Sequence, residues 1–404
     1  MKKKVVVLGL DGLEPSIIEP MMASGELPNF ASLARRGSYR RVQTTYPAQT
    51  PVAWSTFMTG TNPGAHGIFD FIGRDPQTYQ PEFALHRFAP PRNRFSLPTA
   101  VSRRRGLPIW QLLQEAGVPS TIVRCPCTFP PDASGARILA GVGVPDIRGS
   151  QGTGTFYTQD TTTVAGESER VVHLGPGDRL ETYLIGPRDT RHHPAEDVTA
   201  EFKVRVSSSG LGLVFETAGT SQVMEVAEKT WGPWFKVKFK LSMLQSVSAL
   251  ARLYVCRLSP TIEFYVCPLN FDSSLPLFAI SSPSAYAKEL VEGIGLYATI
   301  GMAEDHNGHN NARLDDAAFM AQCKLVSAER EKMLFFELDR LSEGFLFVLF
   351  DTPDRVQHMF WRFRDREHCL FDPKQAETVR WIEETYCACD RLVGRVMERL
   401  DEDT

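Results

Sequence analysis

The stretch MKKKVVVLGLDG, residues 1–12, decides the fold. Lysines followed by apolar residues imitate the start of a secretory signal. The apolar run is VVVLGL, six residues, before Asp11 and Gly12 interrupt it. A signal needs an apolar region of about 7–15 residues and a small-residue cleavage site. A short, continuous apolar run is instead the pattern of a strand buried on both faces, as in a parallel sheet. FLFVLF at 345–350 repeats the pattern and ends in Asp351. No run approaches the roughly 18 apolar residues of a membrane span, so a soluble, cytoplasmic protein is expected.

Working outward, helical spacing of Phe30, Leu33 and Ala34 is stopped by Gly37. A helix at 109–117 ends at Gly117, and PSTIVRC follows as a strand. Strand and helix in alternation predict an α/β fold with a mostly parallel sheet. The character changes after about residue 150. GSQGTGTFYTQDTTT reads as a loop. From about 168 to 272, short pieces such as EFKVRVSSS and WFKVKFKL alternate in polarity, as half-buried antiparallel strands do. The expected organisation is a first part of an α/β core at 1–150, a β-rich insertion at 151–275 and a second part of the core at 276–404. In the last part, Val379, Ile382, Tyr386, Cys389, Val393, Val396 and Leu400 are expected on one helical face.

The 404 residues are 43% hydrophobic and 23% charged, with net charge −4. This is a globular composition long enough for a sizeable core. Basic residues are scattered, which disfavours nucleic acid as a main partner. The eight cysteines form no C-x-x-C pair. Cys125/Cys127 and Cys387/Cys389 are C-x-C pairs without nearby histidines, and read as buried free thiols rather than metal ligands.

Three places carry candidate chemistry. In TTYPAQTPVAWSTFMTG, residues 44–60, Thr50 precedes Pro51 at the start of a short helix that Gly60 ends. Thr at the N-cap with Pro at N1 is sufficient as capping. The same geometry also suits a nucleophilic hydroxyl facing a phosphate held at the helix N-terminus. Asp11 ends the first strand, where ligands of α/β sheets bind, and is either a cap or a metal ligand. Asp354 and His358, in DTPDRVQH, are four apart and share a helical face, a spacing that lets both reach one metal ion. Asp305, His306 and His309 in AEDHNGHNN follow no buried strand and read as a polar loop.

Together, VVVLGLDGL, LPNFASLARRG, TTYPAQTPVAWSTFMTGTNPGAHGIFDF and DTPDRVQH resemble the alkaline phosphatase superfamily, in its type I phosphodiesterase/nucleotide pyrophosphatase branch. The resemblance implies an alkaline-phosphatase-like α/β sandwich. It also implies hydrolysis of phosphodiesters or phosphomonoesters of a small substrate by two divalent metal ions, zinc or else manganese. Asp11 and Thr50 would serve one metal, with Thr50 as nucleophile, and Asp354 and His358 the other. The alternatives are a phosphate-transferring mutase of the superfamily or a non-catalytic binding protein on the same scaffold. Two departures stand out. Phe71 occupies the position where nucleotide pyrophosphatases place a phosphate-contacting asparagine, with Asn62 and Arg74 as candidate replacements. The S-D-H-G motif and a later histidine of the family do not appear, so a C-terminally truncated chain is expected.

Overall fold

The computed structural model describes residues 3–90, 98–189, 195–217, 222–242, 245–401 and 404. They form two compact units. The first comprises Met1–Val142, Ser281–Tyr286 and Val326–Thr404, the second Gly143–Ile280 and Ala287–Leu325.

The first unit is built on a five-stranded sheet in the order Lys4–Leu10, Gly344–Phe350, Ser120–Val123, Arg137–Leu139, Ser281–Ser282. The first four strands are parallel and the last runs antiparallel. Lys4 lies opposite Gly344 and Leu10 opposite Phe350. GFLFVLF has a neighbour on each side and is buried at every residue. KVVVLGL ends the row, and only Gly9 is fully buried there. The register continues one step past the strands, where the Asp11 N–H donates to the Phe350 carbonyl at 2.9 Å. Asp11 and Asp351 therefore leave the sheet side by side at its carboxyl ends.

Helices Pro15–Ser24, Pro28–Arg36, Thr50–Thr59, Ile109–Glu115, Thr352–Phe360 and Trp381–Met397 surround this sheet in sequence. The expected C-terminal face is largely present, with Ile382, Tyr386, Cys389, Val393 and Val396 buried. Val379 and Leu400 fall outside the helix, which begins at Trp381. Asp390 in this helix accepts from the Phe30 N–H and the Asn29 amide, both at 2.8 Å. It thereby supplies the cap that Leu27, apolar at the N-cap of Pro28–Arg36, cannot.

The second unit is β-rich. One antiparallel sheet has the order Arg179–Asp189, Glu196–Val206, Gly212–Thr217, Val223–Ala227. Another joins Phe235–Lys240, Ser246–Ala251 and Asn270–Phe271. The segment expected as a Gly/Thr loop instead contains a fully buried strand, Gly154–Thr158, paired with Glu263–Val266 and Glu169–His173. Its Thr, Phe and Tyr side chains favour a pleated surface, and Tyr157 stacks on Phe264 at 4.5 Å. AEDHNGHNN is likewise not a solvated loop. Asp305 is buried and caps a short helix, His306–Asn310, accepting from the Gly308 N–H at 3.0 Å and the Tyr265 hydroxyl at 2.9 Å. Burial pushes the Asp305 carboxyl up to about 6.

All eight cysteines are free thiols. Cys369 is exposed, Cys387 half-buried and the others buried. Among the described residues no helix is long and apolar enough to cross a membrane.

Candidate functional site

The carboxyl edge of the parallel sheet gathers Asp11, Thr50 and Asp354, all within the first unit. Thr50 is the first residue of helix Thr50–Thr59. Gln49, not Thr50, is its N-cap, and no side chain caps it. The capping account of Thr50 is thus corrected. Its Oγ1 donates instead to Asp11 Oδ2 at 3.1 Å. The helix still opens as the sequence dictates, with Pro51 in the first turn and Gly60 left-handed at the C-cap. Cys127, itself at φ 58°, directs its thiol to the Pro51 carbonyl at 3.7 Å and fixes the helix start from below.

Asp11 is held at both oxygens. Oδ2 receives Thr50, and Oδ1 receives the Trp54 indole N–H at 3.1 Å. Its carboxyl is pushed up to about 6, first by burial and then by the negative charge of Asp354. The Trp54 hydrogen bond opposes this. Gly12 has φ 74°, and a Cβ there would stand 2.9 Å from the Asp354 Cα. Only glycine permits so close an approach in that conformation. Gln357 locks the contact by donating to the Gly12 carbonyl at 2.7 Å. Tyr386 in turn donates to Gln357 at 3.2 Å and accepts from the Glu14 N–H at 2.8 Å.

Asp354 and His358 share a face of helix Thr352–Phe360, as their spacing predicted. His358 Nε2 lies 3.4 Å from Asp354 Oδ1, and Arg355 donates to Asp354 Oδ2 at 2.7 Å. The hydrogen bond to Asp354 raises the His358 imidazole above its usual range. Asp351 is the N-cap of this helix but does not cap it. Its carboxylate faces the fully buried Arg330 guanidinium, 3.7 Å away.

The other two candidates sit elsewhere in the unit's local structure. Asn62 Oδ1 caps helix Pro63–His66 through the Ala65 N–H at 3.2 Å. Arg74 lies over the Tyr79 ring at 4.9 Å. His66 is buried, which holds its imidazole below the usual range. Its Nδ1 accepts from the Ile68 N–H, so Nε2 carries the proton and donates to Thr56 at 3.0 Å. Sequence reasoning missed Trp54. The available signal was its place four residues after Thr50, on the same helical face.

Residues 5–168 match the type I phosphodiesterase / nucleotide pyrophosphatase family. The match is consistent with the alkaline phosphatase superfamily and spans Asp11, Thr50, Trp54, Asn62 and Arg74. Asp354 and His358 lie beyond it. No curated protein and no solved structure matches the chain.

Proteins of this phosphodiesterase family are generally metal-dependent. Among the described residues no group of three or more His, Cys, Asp or Glu side chains is placed to hold a metal ion. Asp11 with Thr50, and Asp354 with His358, each offer two donors, whereas a zinc site takes about three or four protein ligands. These side chains therefore fit a metal centre only in part.

Proposed function

We propose that the chain is a phosphoester hydrolase that uses Thr50 as its nucleophile on a small phosphorylated substrate. The observation that carries this is the Thr50–Asp11 hydrogen bond at an uncapped helix N-terminus. A threonine needed only as a cap would bond to its own helix. This one is directed at a buried carboxylate at the carboxyl edge of the sheet, placed to take the hydroxyl proton.

In the proposed reaction Thr50 Oγ1 attacks phosphorus in line with the ester oxygen. The Oγ1–P bond forms as the P–O bond to the leaving group breaks. The threonine proton passes to Asp11 Oδ2, and the leaving alkoxide takes a proton from water. Water then attacks the phosphothreonine, the Oγ1–P bond breaks as the new P–O bond forms, and Asp11 returns the proton to Thr50 Oγ1. A monoester substrate is released as phosphate and a diester as a phosphomonoester. The positive end of the helix Thr50–Thr59 dipole stabilises the phosphoryl oxygens. Two divalent ions, zinc or manganese, would supply further charge stabilisation through Asp11 with Thr50 and Asp354 with His358, given additional donors. Asn62 and Arg74 are proposed as outer substrate contacts. An alkaline-phosphatase-like sandwich for the first unit, a substrate-selecting role for the second, and a reducing, cytoplasmic setting that suits eight free thiols complete the proposal.

The test is Thr50→Ala and Thr50→Ser, assayed on bis-p-nitrophenyl phosphate and p-nitrophenyl phosphate with zinc, manganese or magnesium. Loss of turnover by at least about a thousandfold in Ala, with partial retention in Ser and no change in melting temperature, supports the reading. Full activity in Thr50→Ala overturns it.

A further inference from the structure

Trp54 joins the two elements that carry the nucleophile and its acceptor. Its indole N–H donates to Asp11 Oδ1 at 3.1 Å, while Asp11 Oδ2 receives Thr50. A carboxylate at a strand end turns about its last torsion, so one hydrogen bond does not fix the plane of the group. A second donor on the other oxygen does.

The indole is itself immobilised. Gly9 leaves the slot it occupies, since a Cβ there would lie 2.8 Å from the ring carbon Cη2. Phe57 and Phe347 meet the ring edge-on, with centroids 5.4 and 5.5 Å away. Such pairs hold a defined orientation. The ring is thus aimed by strands Lys4–Leu10 and Gly344–Phe350 and by its own helix. Packing alone explains an aromatic residue here. It does not explain an indole rather than a phenyl ring, because only the indole N–H reaches Asp11.

We propose that Trp54 is a positioning residue that sets the rotation of the Asp11 carboxylate and so presents Oδ2 to the Thr50 hydroxyl. This rests on the hydrolase reading above. Trp54 does not touch the reacting atoms. It acts by keeping the proton acceptor in one rotamer, and a fixed acceptor raises the fraction of encounters that are productive.

The experiment compares Trp54→Phe, which keeps ring packing and removes the donor, with Thr50→Ala and Asp11→Asn in the full chain. The first readout does not need turnover. In a spectrum of the protein labelled with 15N-tryptophan, the indole signal absent from Trp54→Phe identifies Trp54, and Asp11→Asn should shift that signal. An unshifted Trp54 signal overturns the hydrogen bond and the proposal with it. The second readout is kinetic, on bis-p-nitrophenyl phosphate. Trp54→Phe should lower kcat about 10- to 100-fold, the effect of one hydrogen bond to a charged group, with KM within about twofold and the melting temperature unchanged. Unaltered kcat in Trp54→Phe beside an inactive Thr50→Ala overturns the positioning role and leaves the hydrolase reading intact. A kcat loss matched by a loss of folded protein also overturns it, as a packing effect. An active Thr50→Ala overturns the hydrolase reading instead, whatever Trp54→Phe does.

Discussion

Gly12 and Asp354 touch through their backbones. A Cβ on residue 12 would sit 2.9 Å from the Asp354 Cα and 3.0 Å from its Cβ. The absence of a side chain at residue 12 therefore lets the start of helix Thr352–Phe360, with Asp354, approach Asp11. Gly12→Ala adds that clash to a left-handed φ of 74°. It should cost roughly 1–3 kcal/mol in urea unfolding and reduce turnover by moving Asp354 away from Asp11. Wild-type stability in this variant would show that the approach is not constrained.

Asp11 should oppose folding at neutral pH. Its carboxyl is raised from 3.8 to about 6 in the folded protein. The native state therefore holds its proton more tightly than the unfolded chain does. The contribution is fully present below about pH 4 and is lost as pH rises to about 6. Asp11→Asn should thus be more stable than the parent at pH 7, by roughly 2–3 kcal/mol, and nearly equal at pH 4. Denaturant melts of both proteins at the two pH values measure this difference. Asp305, also near 6, is common to both proteins and cancels.

His86 should give the opposite slope. It is buried among Phe83, Phe88 and Phe129, and burial lowers its imidazole from 6.5 to about 4. Below pH 6.5 the unfolded chain takes up the proton first. Stability is therefore lost as pH falls from 6.5 toward 4, by up to roughly 3 kcal/mol. His86→Phe should flatten this part of the stability profile relative to the parent.

Thiol reactivity should follow exposure. Burial pushes Cys127 up to about 11 and Cys389 up to about 12, which leaves almost no thiolate at pH 8. Ellman's reagent should label Cys369 rapidly and Cys387 slowly in the native protein, and the buried thiols only in denaturant. Rapid native labelling of Cys125 or Cys127 would contradict the packing beneath the Thr50 helix.

Asp390→Ala should remove the cap that the C-terminal helix lends to Pro28–Arg36. A loss of about 1–2 kcal/mol is expected, with kcat unchanged, since Asp390 makes no contact with the candidate site residues. A proportional fall in kcat per folded molecule would instead couple this helix pair to the chemistry.

Much of this was legible in the residues. FLFVLF is apolar on both faces because it is buried on both, and the alternation of FKVKF marks one face of a strand. VVVLGL carries the same apolar run but ends the sheet with only Gly9 fully buried, so its expected burial on both faces is corrected. The i, i+4 spacing placed Asp354 and His358 on one face because helix geometry is local. What stayed hidden was non-local or compositional. GTFYT was masked by glycines and threonines around it, and its burial comes from partners about a hundred residues away in sequence. Asp305 looked solvated because its acceptor work, toward Tyr265, is also distant. At Thr50 the residue types fit a cap and a nucleophile equally. The hydrogen bond of Thr50 to Asp11, set by a strand that ends near the helix start, could not be read from those residue types. The Trp54–Asp11 bond depends on that same strand end.

The pairing of Lys4 with Gly344 has a consequence for biosynthesis. Strand Lys4–Leu10 finds its sheet neighbour only after about 340 further residues have been made. At about 5–20 residues per second that delay is on the order of tens of seconds. Throughout it KVVVLGL is a nascent apolar segment with both hydrogen-bonding edges open. Chaperone occupancy on ribosome-bound chains should accordingly stay high until residue 350 clears the exit tunnel, and then fall.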